Sequence, residues 1–130
     1  MRRPTVAILC VGILGLCAVC FAVFAAYTFD HGVIFHQRSV TRELAKWAKE
    51  YNRISSHDDA IRTAEMLGYA QTYYVVGEGY RSTPEVEEAL EAQRTETEAV
   101  FVKALQKYTG QDFGTNSANW LGYLGQSNLN

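Results

Sequence analysis

Charge is missing from the first part of this chain. Between Arg3 and Asp30 there is no Asp, Glu, Lys, Arg or His, and the run from Thr5 to Thr28 is built from Val, Ile, Leu, Phe, Ala, Gly and Cys, with Tyr27 near its end. A buried helix of so small a domain would not be apolar on every face over such a length, so this run is not a core helix. Cysteine is missing from everything beyond Cys20; Cys10, Cys17 and Cys20 all lie in the apolar run. The rest of the chain therefore forms no disulfide, and cysteine usage reports nothing about its redox compartment. Period-two alternation is also missing, which excludes a sheet and leaves an all-α class.

The signatures of chemistry are absent as well. No Gly-x-Ser-x-Gly, P-loop or dinucleotide fingerprint occurs, and Gly77-x-Gly79 leads to no third glycine. His31, His36 and His57 form no His-x-x-x-His pair and have no cysteine near them, so neither a metal nor another cofactor is expected. The acids Glu85, Glu87, Glu88 and Glu91 crowd a first helical turn, where carboxylates match the helix dipole. From Asp58 onward the net charge is −6, which excludes the basic footprint that nucleic acid requires. The segment His36 to His57 carries +3, a charge suited either to a solvated helix face or to anionic head groups. No catalytic activity is expected.

What is present reads first as a membrane segment. As a helix the 24 residues from 5 to 28 span roughly 36 Å, enough to cross a ~30 Å hydrocarbon layer with some tilt. The alternative is a signal peptide cut after Val23-Phe24-Ala25, although the run is longer than a usual signal core. The expected organisation is a basic tail over 1–4, a transmembrane helix over 5–28, a linker over 29–38, a helical domain over 39–125 and a polar tail over 126–130. Arg2 and Arg3 at one end and the uncharged exit from Gly32 to Phe35 at the other place the domain outside the cytoplasm, with Arg38, Arg42, Lys46 and Lys49 pulling the opposite way. Gly15, Ala18, Ala22 and Ala25 make a small-residue stripe through which two membrane helices can approach as a homodimer.

Three further helices follow from periodicity and punctuation. Val40, Leu44, Trp47 and Tyr51 make one apolar stripe over 39–53. Ser55 or Ser56 caps the next helix, with an acid three positions on, and that helix runs to about Val76, where Gly77-Glu78-Gly79 stops it. Ser82-Thr83-Pro84-Glu85 supplies a capping hydroxyl, a proline at the first position and an acid in the first turn. From Pro84 to Tyr108 the apolar pattern is interrupted by the nearly all-polar stretch 91–98. The segment is therefore either one helix that leaves the core midway or two shorter ones.

The stretch Tyr108 to Trp120 closes the fold. Gly110 suits a left-handed residue after a helix end, Phe113 folds back on the core, Gly114 allows a second bend, and Asn116 caps a short last helix that turns Trp120, Leu121 and Leu124 inward. Ala104-Leu105-Gln106-Lys107-Tyr108-Thr109-Gly110-Gln111-Asp112-Phe113-Gly114, then Asn116 and Trp120, resembles the closing segment of bacterial HEAT-like repeat proteins, in which a T-G-x-D-F-G turn and a Trp-bearing helix cover the last repeat. That resemblance implies a protein-binding scaffold rather than a catalyst. The chain has room for about one and a half helical pairs, fewer than the three repeats a solenoid needs, so the expectation is a small helical bundle or truncated HEAT-like hairpins behind the membrane helix. Tyr69, Tyr73, Tyr74 and Tyr80 form a dense cluster that reads as core-edge packing or as a recognition surface for a protein partner. The functional expectation is a membrane-anchored helical binding or scaffold module. The alternative is a secreted or periplasmic small-ligand or metal-binding protein freed by signal cleavage.

Overall fold

A computed structural model describes the backbone of residues 3–127, and side-chain surroundings from Ile8 to Gln126 except at Leu9 and Asp30. Met1 and Arg2 of the basic tail, and residues 128–130 of the polar tail, lie outside the described residues. Four helices follow one another, α1 Arg3–Glu50, α2 His57–Thr72, α3 Pro84–Thr109 and α4 Ser117–Ser127, and the described residues contain no strand beyond an isolated Gly77–Tyr80 bridge.

The expected linker over 29–38 is helix. α1 runs through it without a break, 48 residues or about 72 Å. Nothing there stops a helix: there is no proline, and Gly32 alone costs only about 1 kcal/mol relative to alanine. Tertiary contacts supply the rest, because Gln37 is fully buried, its amide donates to the Tyr80 carbonyl at 3.0 Å, and its carbonyl accepts from Ser82 Oγ. The domain thus begins on the same helix as the apolar run, with Gln37, Val40 and Leu44 buried on one face.

The contacts give the helix directions. His36 meets Tyr80, Glu43 meets Tyr73 and Trp47 meets Tyr69, so the chain from α2 to the following loop descends as α1 ascends. α3 ascends again beside α1, and its Thr97 hydroxyl is shared between its own Gln93 carbonyl (2.8 Å) and the Leu44 carbonyl (3.1 Å). α4 packs on α2, where Gly68 allows the close approach: a Cβ there would stand 2.8 Å from Ser117 Oγ. The core joins Leu44, Leu67, Leu90, Phe101, Leu105 and Trp120, all without exposed surface.

α2 begins in a complete capping box, with Asp59 N–H on Ser56 Oγ at 3.1 Å and Ser56 N–H on the Asp59 carboxylate at 3.1 Å. It ends at Thr72, four residues short of the expected Val76, because Tyr73 leaves the helix and Tyr74 turns left-handed at φ 47°. Gly77-Glu78-Gly79 is therefore a tight turn in the loop and not the helix stop. α3 is a single helix, but its expected capping hydroxyl is unused: Thr83 makes no side-chain cap bond, and the Ser82 N–H is taken by Glu87 Oε1 at 2.6 Å. The polar stretch 91–98 does not leave the core. Arg94 is 5% exposed and Thr97 fully buried: the Arg94 guanidinium serves carbonyls at the end of α2 and in the loop after it, and the Thr97 hydroxyl donates to the carbonyls of Gln93 and Leu44.

Candidate functional site

The four tyrosines come together in one aromatic ladder along the α1–α2 face. Tyr69 and Tyr73 have ring centroids 5.1 Å apart, Tyr73 and Tyr74 4.7 Å, and Tyr74 and Tyr80 5.7 Å. α1 supplies two more rings: Trp47 packs on Tyr69 and Tyr73, and His36 meets Tyr74 edge-on at 4.5 Å. Tyr69 is 50% and Tyr74 46% exposed, whereas Tyr73 and Tyr80 are half-buried. The cluster is thus both core edge and surface: two rings anchor it and two face outward.

The hydroxyls of the inner pair are tied to α1. Tyr73 Oη donates to Glu43 Oε2 at 2.6 Å, and Tyr80 Oη pairs with His36 Nδ1 at 2.7 Å. The bond to Glu43, then burial, pushes the Tyr73 phenol up to about 12, because an ionised phenol would face a carboxylate. Burial also raises the Tyr80 phenol.

Arg94 fixes the turn that carries the ladder. Its guanidinium donates to the carbonyls of Ala70, Tyr73 (2.8 Å) and Tyr74 (3.2 Å), and its Nε pairs with Glu91 at 3.2 Å. They are one orphan carbonyl of the last turn of α2 and two of the residues that leave it, and the helix ends without a glycine cap. The cation also complements the negative end of that helix. Sequence reasoning did not bring Arg94, His36, Gln37 or Glu43 to this site. The available signal was a lone arginine among the acids of a neighbouring helix; the need it meets was hidden, because Gly77 reads as the stop of a longer α2.

The closing stretch has its own geometry. Gly110 is left-handed at φ 72°, and its N–H reaches the Gln106 carbonyl at 2.8 Å. Asp112 accepts the Gly114 N–H at 2.9 Å, which holds its carboxyl below the usual range. Gly114 stands at φ 53°, and Asn116 Oδ1 accepts the Asn119 N–H at 3.1 Å. Trp120 is fully buried, donates its indole N–H to the Gly114 carbonyl at 2.8 Å, and meets Phe113 edge-on at 4.9 Å. Phe113 is half-buried. The Thr109, Asp112, Asn116 and Trp120 side chains are thus bonded to the backbone of the stretch itself or of the helix before it.

On α1, the described side chains from Ile8 to Phe29 are all exposed, and this helix is long and apolar enough to cross a membrane by length and composition. Gly15, Ala18, Ala22 and Ala25 fall within about 60° of Val40 around an ideal helix. On an ideal helix this is the side of α1 on which the domain packs. Among the described residues no three His, Cys, Asp or Glu side chains come together as a metal site. No family model, curated protein or solved structure matches this chain.

Proposed function

We propose that the chain is a single-pass membrane protein whose helical domain is a non-catalytic binding or scaffold module. The observation that carries this reading is the apolar surface of α1. Its described side chains are exposed from Ile8 to Phe29, an uncovered length that water would not tolerate and a bilayer would bury. The helix then enters the domain without a joint, so the anchor fixes how the domain is presented. The face presented is the tyrosine ladder, in which Tyr69 and the adjoining Trp47 and Tyr73 offer apolar area and hydroxyls to a protein partner. The likeness of 104–120 to a HEAT-type closing segment agrees with a scaffold. The partner at this face is a different protein; a homodimer through the small-residue stripe would need the two helices to diverge above the membrane so that both domains fit.

The domain stands outside the cytoplasm, with Arg2 and Arg3 inside. Protease added to intact cells or spheroplasts should remove it, and full protection would reverse the orientation. Partner binding is tested by placing a photo-crosslinking residue at Tyr69 in native membranes. A discrete adduct lost in Trp47→Ala supports the reading; no adduct from Tyr69, with the chain intact in the membrane, contradicts it.

The second reading is a domain released by signal cleavage. It is favoured by one observation: among the described residues none before Gln37 is buried, so a cut after Ala25 would leave the described core complete.

A further inference from the structure

Beyond Phe29, five large apolar or aromatic side chains remain exposed among the described residues: Phe35 (70%), Tyr69, Tyr74, Val75 (48%) and Tyr108. Three of the five sit at one level, the end of the domain nearest the run. Phe35 adjoins His36 in α1, and Tyr74 stacks against His36 at 4.5 Å, with Val75 next to it in the loop. That level is seven residues past Phe29, roughly 10 Å along the helix axis. The head-group zone of a bilayer adds roughly 5–8 Å to each side of the hydrocarbon. The 36 Å estimate for the apolar run exceeds the ~30 Å hydrocarbon, so α1 tilts and brings this level closer to the lipid.

We infer that the underside of the domain, Phe35 on one side of α1 and Tyr74-Val75 on the other, rests in the interfacial zone of the same bilayer that α1 crosses. The inference rests on the membrane-anchor reading above. It divides the ladder by height: Tyr74 faces lipid and Tyr69, further from the membrane, faces the partner. Tyrosine suits the interface because its ring is apolar and its hydroxyl remains wet. The left-handed backbone of Tyr74, held by Arg94, is what turns this ring out of the α2 helix path. Arg81 of this rim is paired with Glu87 at 3.0 Å, and Arg38 stands against the exposed Glu78 and Glu85, so these groups carry no excess of positive charge and the contact is to phospholipid in general, without a requirement for anionic lipid.

The test uses the full chain with Cys10, Cys17 and Cys20 changed to alanine, reconstituted in phosphatidylcholine vesicles. A nitroxide is attached in turn through Phe24→Cys, Phe35→Cys, Val75→Cys and Tyr108→Cys. Accessibility to oxygen and to a water-soluble nickel chelate gives the depth of each label, and a melting curve checks each fold. Labels at 35 and 75 should be severalfold less accessible to nickel than the label at 108, and shallower than the label at 24. If 24 is deep but 35 and 75 are as wet as 108, the interfacial contact is wrong and the anchor stands. If 24 is wet, the anchor reading fails and takes the inference with it.

Discussion

Arg94 shows how one side chain positions a surface it does not join. α2 stops where no glycine can cap it, and the carbonyls of Ala70 in its last turn and of Tyr73 and Tyr74 just past its end are satisfied by this guanidinium. Arg94→Met should lower the stability of the full chain in detergent by about 3 kcal/mol or more, because buried carbonyls lose a charged donor. Arg94→Lys should fall between, since an ammonium cannot serve three carbonyls in the plane of a fork. Denaturant unfolding followed by tryptophan fluorescence measures both, and equal stability of Arg94→Met and wild type would remove Arg94 from this role. Tyr73 gives a pH signature. Its folded-state pKa, about 12, lies above the ordinary value of 10.0, so the bond to Glu43 stabilises the fold fully below pH 10 and is lost as the pH rises toward 12. Tyr73→Phe should therefore lose the part of the alkaline decline that wild type shows over pH 10–12. Superimposable profiles for the two proteins over that window would contradict the assignment.

At the scale of elements, the continuity of α1 and the closing turn carry the argument. Amide hydrogen exchange over 29–38 should be slow, as in the helix on either side, whereas a linker would exchange within seconds. In the closing stretch, Trp120 is fully buried and Phe113 half-buried. Trp120→Ala should cost about 3–5 kcal/mol, with Phe113→Ala below that range. Gly110→Ala should cost about 1 kcal/mol or more for a Cβ at positive φ. Asp112→Asn should be mild, because an amide oxygen can still accept the Gly114 N–H. Melting curves that reversed this order would mean the stretch is not a closing device. Much of this geometry was legible from Gly110, Asn116 and the apolar stripe Val40-Leu44-Trp47, because local backbone rules and 3.6-residue periodicity act at short range. The buried polar face of α3 was not legible. Arg94 is inside because the carbonyls of Ala70, Tyr73 and Tyr74, 20 to 24 positions away in sequence, take a donor from it, and Thr97 because its hydroxyl is satisfied by its own Gln93 carbonyl and by that of Leu44, 53 positions away. The end of α2 was misplaced for the same reason: its cap comes from another helix, while the glycines at 77 and 79 serve the loop. The tyrosine cluster was visible as spacing, but its partners on α1, His36 and Glu43, appear only once the helices are packed.

For the whole molecule, the central claim is that the apolar part of α1 is retained and holds the domain at a membrane. Because α1 continues unbroken into the domain, its retention would make anchoring and presentation one property, which cleavage would abolish. The most direct measurement is the intact mass of the mature chain recovered from cells after an alkaline carbonate wash separates membranes from soluble protein. The account requires the full 14.6 kDa chain in the washed membrane pellet. A shorter chain in the soluble fraction, lacking about the first 25 residues as signal cleavage would produce, would contradict it.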